Sequence, residues 1–266
     1  MVQQREHGKD LAGSVAIVTG ASRRIGIGAA VCRALASRGA DIFFTHWGVF
    51  DTTVLSGRDP AGPEDLLREL TAMGVRAAEL EADLSRPETA AAILAAATAR
   101  LGPPSILINN ATHSTPGGYE RLDAATLDAH YAVNLRGTML LSVAFARAYA
   151  GGEGGRIICL TSGQDLGPMP GELAYAATKA GIVAFATSLA ADVAAKGITV
   201  NAVNPGPTDT GWMDPDLKRE ILAASPFGRI GQPEDAARLI AWLASPDGAW
   251  ITGQVINSEG GFGRGA

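Results

Sequence analysis

A tyrosine and a lysine four positions apart, Tyr175 and Lys179, are the residues whose types and spacing best suit acid–base chemistry. They lie in ELAYAATKAGIVAFATSLA, an alanine-rich segment that predicts a helix, and residues four apart share one helix face. A phenol has an ordinary pKa of about 10, and a neighbouring ammonium favours its ionised form. The pair therefore predicts proton exchange with a carbonyl or alcohol oxygen. The plainer alternative is an exposed helix that carries both residues incidentally.

A serine stands shortly before this helix. The run GRIICLTSG predicts a strand whose carboxyl end delivers Ser162, thirteen residues before Tyr175. In an open α/β sheet, ligands bind outside the carboxyl ends of the strands. The serine is therefore expected at the ligand-binding edge of a sheet.

A glycine-rich turn, VTGASRRIGIGAA, separates a strand-like run from a helix-like run. Glycines let such a turn approach a pyrophosphate, and the amides of the following helix N-terminus bind phosphate. In one alignment Gly20 and Gly26 are the end glycines and Arg24 replaces the middle one. In the other, the turn is two residues longer and Gly28 is its last glycine. Such turns also join strands to helices for structural reasons alone.

These residues need a scaffold, and apolar runs that alternate with alanine- and leucine-rich segments predict an α/β fold. Strands are predicted at Ser14–Thr19, Asp41–Thr45, Arg76–Ala82, Ile106–Asn109, Arg156–Thr161, Thr199–Val203 and Gln254–Asn257. Helices are predicted near Gly28–Arg38, Pro63–Met73, Pro87–Leu101, Ala124–Tyr149, Leu173–Lys196 and Pro233–Ala244. Without repeats or a long linker, we predict one doubly wound domain over residues 1–266, with its core at about 11–262 and a seven-stranded parallel sheet flanked by helices on both faces.

Two long segments interrupt the alternation, His46–Gly62 and Pro205–Gly231. Loops of this length in a compact domain are usually functional or mobile. Both follow predicted strands, so both are expected beside the ligand-binding edge of the sheet.

The composition narrows the class of protein. Apolar residues make up 47% and charged residues 18%, which is enough for a large core. A net charge of −5 argues against nucleic acid or an anionic membrane as partner. The two cysteines read as reduced buried thiols, the four histidines lack metal-ligand spacing, and the most apolar runs are too short to span a bilayer. We expect a cytoplasmic protein without a metal.

From about Leu11 to Phe262 the chain resembles the short-chain dehydrogenase/reductase family, and most closely its 3-oxoacyl-(acyl-carrier-protein) reductase-like branch. The likeness rests on the glycine turn, on ILINNAT, on the Ser–Tyr–Lys set and on the closing run WITGQVINSEGGF. It implies a Rossmann fold that binds a nicotinamide cofactor.

The resemblance implies catalytic roles for four residues. Tyr175 donates or accepts the proton, and Lys179 holds the nicotinamide ribose and lowers the pKa of the tyrosine. Ser162 hydrogen-bonds the reacting oxygen. Asn134, in HYAVNLRGT, matches the asparagine that anchors a proton-relay water.

The resemblance also decides the glycine alignment, because the Gly39-Ala40 pair falls in register only when Gly28 is the last glycine. Gly20 then permits the tight turn, Gly26 lets the backbone approach the pyrophosphate, and Gly28 lets the helix pack closely. The implied cofactor contacts further comprise Ser22, Arg23, Arg24, Ile27, His46, Asp83, Leu84, Asn110, Ala111, Tyr175, Lys179, Pro205, Gly206, Thr208 and Thr210.

Some of these landmarks have structural explanations of their own. Asn109 and Asn110 could cap a strand end, and Asp83 could cap the helix that begins after Ser85. Their joint occurrence in the family's order favours the cofactor site.

The cofactor is expected to be NADP(H), with NAD(H) as the alternative. NAD-specific relatives place an acidic residue at the end of the second strand, where this chain has His46. Arg23 and Arg24 lie in the turn, where a guanidinium can pair with a ribose phosphate. NAD(H) binding would be favoured if Asp51, or the loop around it, folded back over the adenosine.

We therefore expect an oxidoreductase that transfers a hydride between NADP(H) and a carbonyl or alcohol, such as a 3-oxoacyl group, a small ketone or a sugar. The alternative is a catalytically idle nucleotide-binding sensor or assembly protein, against which the intact catalytic set argues. Enoyl reductases of the superfamily are disfavoured, because their motif has more residues between the tyrosine and the lysine. The substrate is expected to be bordered by His113, Gln164, Met169, Trp212 and Met213.

The resemblance also implies a homotetramer, with a dimer as the alternative. In relatives, the helices corresponding to Ala124–Tyr149 and Leu173–Lys196 and the segment ITGQVINSEGGF build the two main interfaces. The bland alternative is that these apolar helices pack inside one subunit.

Overall fold

The computed structural model describes residues 9–49 and 61–263, and one parallel sheet runs through them. The strands are β1 Val15–Val18, β2 Asp41–His46, β3 Ala77–Glu81, β4 Ile106–Asn109, β5 Gly155–Leu160, β6 Ile198–Asn204 and β7 Val255–Asn257. Their order is β3-β2-β1-β4-β5-β6-β7. The order reverses between β1 and β4, which places a ligand crevice outside their carboxyl ends. The predicted seven-stranded, doubly wound Rossmann fold is confirmed.

Helices connect the strands on both faces of the sheet. In the described residues they are α1 Ile27–Ser37, α2 Gly62–Ala72, α3 Thr89–Leu101, α4 Ala124–His130, α5 Thr138–Ala148, α6 Leu173–Val193, α7 Pro215–Ala224 and α8 Pro233–Ala244. A π-helical segment, Tyr131–Gly137, joins α4 to α5, and short 3-10 turns occupy Ala194–Lys196 and Pro246–Gly248.

Two predicted segments differ from the structure. The single helix predicted over Ala124–Tyr149 is divided by the π-helical segment. The Pro205–Gly231 segment, predicted as an irregular excursion, contains α7. Its N-terminus is capped by Asp214, whose carboxylate accepts the amide N–H of Asp216 and of Leu217, both at 2.9 Å. That aspartate, followed by a proline at the first helical position, was the helix-start signal in the sequence.

The other long loop, predicted over His46–Gly62, falls largely on residues 50–60. These residues, Asp51 among them, lie outside the described residues. The structure therefore does not test whether this loop reaches the adenosine, and α2 begins where the predicted loop ends.

The core consists of two apolar layers, one on each face of the sheet. Ala16 and Val18 of β1 point into the layer that includes α1, α2 and α8. Val15 and Ile17 point into the opposite layer, which includes α3, α5 and α6. Because β1 is buried on both faces, its sequence, Val15–Val18, is apolar throughout and does not alternate with polar residues.

One helical stretch, Leu173–Lys196, is long and apolar enough, by length and composition, to cross a membrane. The prediction that the most apolar runs are too short to span a bilayer does not hold for this stretch. This stretch begins with α6, which packs on β6 and buries Ile182 and Ala186 in the core. Its apolar composition has an explanation inside the fold, because a core helix of a soluble protein meets the same criteria.

Candidate active site

The glycine turn after β1 is built so closely that side chains would collide at two positions. Gly20 has φ +74°, and a Cβ atom there would lie 2.6 Å from the Cα of Ala111. A Cβ on Gly28 would lie 2.6 Å from the carbonyl oxygen of Gly20. The tight turn expected of Gly20 and the close packing expected of Gly28 are both present, and Gly26 is the N-cap of α1. The turn therefore offers a helix N-terminus and bare backbone, which fits a pyrophosphate.

The end of β4 holds this turn in place through Asn110. Its side-chain nitrogen donates to the carbonyl oxygens of Thr19, at 2.8 Å, and Gly20, at 2.9 Å. The main-chain nitrogens of Asn110 and Ala111 each lie 3.0 Å from the Thr19 hydroxyl, to which they donate. Asn109 donates to the Ser142 hydroxyl at 2.9 Å and so ties β4 to α5. Asn110 thus caps the end of β1, as the structural alternative expected, and also lines the cleft, whereas Asn109 binds a helix and caps no strand end.

A cleft of about 470 Å³ opens at the point where the strand order reverses. Most of the predicted cofactor residues line it: Gly20, Ser22, Arg23, Gly26, Ile27, Gly28, His46, Asp83, Leu84, Asn110, Ala111 and Thr210. Asp83 also accepts the Ser85 amide N–H at 2.9 Å in a turn before α3, but it does not cap that helix as the alternative expected, because the N-cap of α3 is Glu88. The predicted cofactor residues that do not line the cleft are Arg24, Tyr175, Lys179, Pro205, Gly206 and Thr208.

The two arginines of the turn point in different directions. Arg23 lines the cleft, and its guanidinium donates to the carbonyl oxygen of Thr210 at 2.9 Å. Arg24 forms an ion pair with Asp65 of α2 at 3.2 Å, which corrects its predicted place in the cofactor site. Because the fold places α2 beside the turn, Asp65 of α2 binds Arg24 and holds it away from the cleft.

His46 occupies the end of β2, as predicted, and lines the cleft. Its Nε2 lies 2.7 Å from a carboxylate oxygen of Glu79 in β3. The neighbouring strand thus holds the imidazole where NAD-specific relatives have an acid. Next to it, the main-chain nitrogen of Trp47 donates to the Ser22 hydroxyl at 3.1 Å and closes the turn against β2.

Tyr175 and Lys179 share one face of α6, as their spacing predicts. Lys179 is buried, its Nζ donates to the carbonyl oxygen of Leu160 at 2.9 Å, and Nζ lies 5.4 Å from the centroid of the Tyr175 ring. Ser162, just after β5, lies near Tyr175 and lowers the pKa of its phenol. The structure brings the serine, the tyrosine and the lysine together.

The expectation that Lys179 lowers the pKa of Tyr175 stays a prediction, because the causes that shift this pKa in the structure are burial, Ser162 and Glu172. Burial raises the pKa of Tyr175, Ser162 lowers it, and the charge of Glu172 raises it further. Burial also lowers the pKa of the Lys179 ammonium to about 8. Desolvation sets the direction of both shifts, because both groups lie in the protein interior.

Asn134 is buried in the π-helical segment, and its side chain forms hydrogen bonds with other protein groups. Its oxygen accepts from the main-chain nitrogen of His113 at 2.6 Å, and its nitrogen donates to the His113 carbonyl at 2.9 Å. The same nitrogen donates to the Thr178 hydroxyl at 3.1 Å. Asn134 therefore joins the segment after β4, which lines the cleft, to the helix that carries the catalytic pair.

Comparisons with known proteins agree with this geometry. A family model described as "Enoyl-(Acyl carrier protein) reductase" matches residues 20–263. The chain is 53% identical over 253 residues to the uncharacterized oxidoreductase YjdA of Bacillus subtilis, which covers 94% of this chain and 97% of the relative. It is 35% identical over 258 residues to the 3-oxoacyl-(acyl-carrier-protein) reductase FabG of Vibrio cholerae, over 95% of this chain and 98% of the relative.

A short chain dehydrogenase from Burkholderia cenocepacia, solved in complex with NADP, superposes with a TM-score of 0.86 at 31% identity. The match covers 97% of this chain and 100% of that one. The chain belongs to the short-chain dehydrogenase/reductase family. It is an NAD(P)-dependent oxidoreductase of that family, so the alternative of an idle sensor is not supported.

The segment after β6 forms a turn that ends at the cleft of this dehydrogenase/reductase family member. Gly206 has φ +65°, and a Cβ there would lie 2.5 Å from the Cβ of Glu259. The Thr208 hydroxyl donates to the Gly206 carbonyl at 3.1 Å. Pro205, Gly206 and Thr208 shape the turn, and Thr210 is the residue that reaches the cleft.

The residues predicted to border the substrate are spread over three segments. His113 lines the cleft, and Gln164 lies 3.4 Å from the Thr161 hydroxyl, just after β5. Met213 is buried, whereas Trp212 is half exposed and donates through Nε1 to the Thr208 carbonyl at 3.0 Å. Met169 is partly buried in the segment before α6.

The rest of the cleft wall in this dehydrogenase/reductase was not predicted from the sequence. The additional lining residues are Thr45, Trp47, Val49, Ala82, Ser85, Thr112, Ala129 and Val133. Several follow strand ends, which is the signal that could have found them. Ala129 and Val133 carry no such signal, because only tertiary packing brings α4 and the π-helical segment to the cleft.

Proposed function

We propose that the protein is an NADP(H)-dependent reductase that converts a carbonyl to an alcohol, with Tyr175 as general acid. The observation that carries the proposal is the convergence of three groups: Ser162 lies near Tyr175 and lowers the pKa of its phenol, and the buried Nζ of Lys179 lies 5.4 Å from the centroid of the Tyr175 ring. Through Thr178, Asn134 and His113, this group is connected to the wall of the cleft. Two hydroxyls and a cation at the carboxyl end of a strand suit a reaction at oxygen.

In the proposed reaction, bound NADPH supplies the hydride. The hydroxyls of Ser162 and Tyr175 bind the carbonyl oxygen, and Tyr175 donates its proton to that oxygen as negative charge develops. Burial of Tyr175, which raises its pKa, keeps the proton in place until then. Lys179 stabilises the phenolate that remains and, as in relatives, would bind the nicotinamide ribose. Asn134 positions the cleft wall and is proposed to support proton return to Tyr175.

NADP(H) is proposed over NAD(H) because the groups around the ribose position favour a phosphate. Arg23 places a guanidinium in the cleft, and His46 replaces the acid that would bind a ribose diol. The NADP complex of the relative from Burkholderia cenocepacia supports this choice.

Enoyl reduction is the second candidate function, because the matching family model carries that description. Tyr175 and Lys179 are separated by three residues, which argues for carbonyl reduction, since the enoyl reductases of the superfamily have more residues between the tyrosine and the lysine. The 3-oxoacyl reductase among the relatives makes a 3-oxoacyl thioester the first carbonyl to test.

Consumption of NADPH tests the proposed function. The purified protein is supplied with a 3-oxoacyl thioester, aldehydes, small ketones, sugars and a 2-enoyl thioester. We expect turnover of at least one carbonyl and none of the enoyl compound. In the variant Tyr175→Phe, turnover should fall by about a hundredfold or more, whereas NADPH affinity should stay close to that of the unmodified protein. Near-normal turnover of Tyr175→Phe, or turnover of the enoyl thioester alone, would contradict the proposal.

We also propose a cytoplasmic homotetramer. Large apolar side chains are exposed on the helical elements that build the interfaces in relatives: Leu127, Tyr131, Met139, Leu140 and Leu173. Near the start of β7, Trp250 is 98% exposed. Exposed apolar residues that cluster on particular elements are typical of subunit contacts.

A further inference from the structure

The imidazole at the end of β2 is held by a carboxylate of the neighbouring strand. Nε2 of His46 lies 2.7 Å from Oε2 of Glu79 in β3, and both side chains are partly buried. Because a carboxylate offers only acceptor oxygens, Nε2 must carry a hydrogen and donate it. We call these two side chains the His46–Glu79 pair. The pair fixes the orientation of the ring and the nitrogen that carries its first proton.

The second ring nitrogen of His46, Nδ1, is available to a ligand. Among residues 9–49 and 61–263 it forms no hydrogen bond, and it is not one of the side-chain nitrogens that are buried without a partner. His46 lines the cleft at the strand end where NAD-specific relatives have an acid. A neutral ring could only accept a hydrogen bond through Nδ1, whereas the protonated ring donates through it and is positively charged. What His46 offers to a ligand therefore depends on a second proton.

The charged groups around the pair do not change charge near neutral pH. In the described part of the chain, the surrounding elements carry Arg23 and Arg24 in the glycine turn, Arg33 in α1, Asp65 and Glu69 in α2, Glu81 in β3, Asp83 and Arg86 after β3, and Arg100 in α3. Arginine stays charged and carboxylates lose their charge only in acid, whereas imidazole changes charge near neutrality. Arg100 donates to the main-chain carbonyl of Glu79 at 2.6 Å, so it does not compete with His46 for the carboxylate.

The other histidine of the cleft wall, His113, is unsuited to the same part. Burial lowers its pKa, and the charge of His130 lowers it further. Its ring packs edge-on against His130, with 4.7 Å between the ring centroids. His113 also follows β4, which lies on the opposite side of β1 from β2. A pH-dependent charge at the end of β2 therefore belongs to His46.

We propose that the His46–Glu79 pair makes NADP(H) binding depend on a proton. His46 takes a proton from solvent as the ribose phosphate binds, and it donates from Nδ1 to the phosphate while Nε2 stays on Glu79. Glu79 is a positioning residue that acts through His46. NAD(H) has no such phosphate, so its binding takes up no proton here. The inference rests on the proposed assignment of NADP(H) as the cofactor.

A carboxylate beside a phosphate-binding position needs a cation between the two anions. The charge of Glu79 would oppose a phosphate in this part of the cleft if the ring of His46 were neutral. An imidazolium attracts both anions, and its hydrogen bonds are charge-assisted. Arg23 also lines the cleft and adds a permanent charge, whereas His46 adds a charge that pH controls. NADP(H) affinity is therefore highest below neutral pH and is lost as the pH rises.

Proton uptake on binding tests the proposal without turnover. NADP⁺ is titrated calorimetrically into the unmodified protein at about pH 7.5, in two buffers with different ionisation enthalpies, and the difference in heat counts the protons taken up. We expect about half a proton or more for NADP⁺ and close to none for NAD⁺. Between about pH 6.5 and 8.5, the affinity for NADP⁺ relative to NAD⁺ should fall about three- to tenfold. Equal proton uptake for the two cofactors would overturn the proposal.

Three variants assign the proton to the pair. His46→Asn should abolish the extra uptake, because an amide does not titrate. Glu79→Gln keeps an acceptor for the Nε2 hydrogen without the charge, and it should move the uptake down by about one pH unit. Glu81→Gln is the matched control, because it removes an exposed carboxylate from the same strand, and solvent screening should leave the uptake unchanged. Uptake that is unchanged in His46→Asn or Glu79→Gln, or equally changed in Glu81→Gln, overturns the proposal.

Two further observations keep the test decisive. If His46→Asn fails to fold, the nitrogen-15 resonances of the histidine rings in the unmodified protein give the same information. One ring should gain a proton on Nδ1 with NADP⁺ and not with NAD⁺, and a gain with both or with neither contradicts the proposal. Equal weakening of both cofactors in Glu79→Gln, with an unmoved pH profile, would make the pair a structural contact between β2 and β3 and overturn the proposal.

The outcomes for the His46–Glu79 pair and for the proposed function are separate. Proton-linked binding of NADP⁺ by a protein that reduces no carbonyl would support the role of the pair and overturn the proposed function. NADP⁺ binding without proton uptake, in a protein that reduces a carbonyl, would overturn the role of the pair and leave the reductase in place. A preference for NAD⁺ at every pH would overturn the NADP(H) assignment and the role of the pair together.

Discussion

Tyr175 and Lys179 owe their protonation states to burial. Burial raises the pKa of the phenol and lowers that of the ammonium, to about 8, so the charged form of each is disfavoured. In water, neither group would be perturbed in this way. Burial makes the largest contribution to the pKa of Tyr175. Two neighbours modify it, because Ser162 lowers this pKa and Glu172 raises it.

Arg23 and Arg24 are adjacent in sequence, yet only Arg23 lines the cleft. We expect Arg23→Ala to weaken NADP(H) binding by about 1.5–3 kcal/mol, or roughly ten- to a hundredfold, because a charge-assisted bond to the ribose phosphate is lost. NAD(H) affinity should barely move. Arg24→Ala is the matched control, since Arg24 pairs with Asp65 on the half-exposed surface of α2.

Calorimetric titration of both cofactors against both arginine variants measures this difference. The assignment of Arg23 would be wrong if Arg23→Ala weakened both cofactors equally, or if Arg24→Ala had the larger effect on NADP(H).

At the scale of elements, the junction between β1 and α1 builds the phosphate end of the cleft. Gly26, Ile27 and Gly28, at the N-terminus of α1, all line it. The junction is fastened to β4 through Asn110, whose side chain lies beside Gly28. This three-way contact explains why two of its glycines cannot be replaced without moving the backbone.

Gly28→Ala should therefore both destabilise the protein and weaken cofactor binding. The added Cβ would lie 2.6 Å from the Gly20 carbonyl and 2.7 Å from the Asn110 nitrogen, so one of these groups must move. We expect a loss of about 1–3 kcal/mol in the free energy of unfolding, as for other overpacked sites. Gly167→Ala is the control, because a Cβ there meets nothing within 4 Å. Urea denaturation of both variants measures the difference. Equal free energies of unfolding for Gly28→Ala and Gly167→Ala would show that the close contact has no energetic consequence.

At the scale of the whole molecule, the exposed apolar side chains of α4, the π-helical segment and α5 predict subunit contacts. Light scattering of the unmodified protein should give the mass of a tetramer. A charged residue in a buried apolar contact is costly, so Leu140→Asp, in α5, should lower that mass to a dimer or monomer. Leu222→Asp is a matched control in α7, where the leucine is similarly exposed (45%, against 39% for Leu140) but lies outside the proposed contact. A monomeric mass for the unmodified protein at all concentrations would refute the tetramer.

The sequence by itself determined the strands, most helices, the glycine turn and the shared face of Tyr175 and Lys179, because each follows from local periodicity or spacing. Tertiary structure alone decided the rest. Arg23 meets Thr210, 187 positions away, and Arg24 meets a carboxylate of α2. The π-helical segment around Asn134 and the charge balance at Tyr175 likewise depend on which groups pack together and how deeply they are buried. Such long-range contacts and desolvation have no signature in the order of residues along the chain.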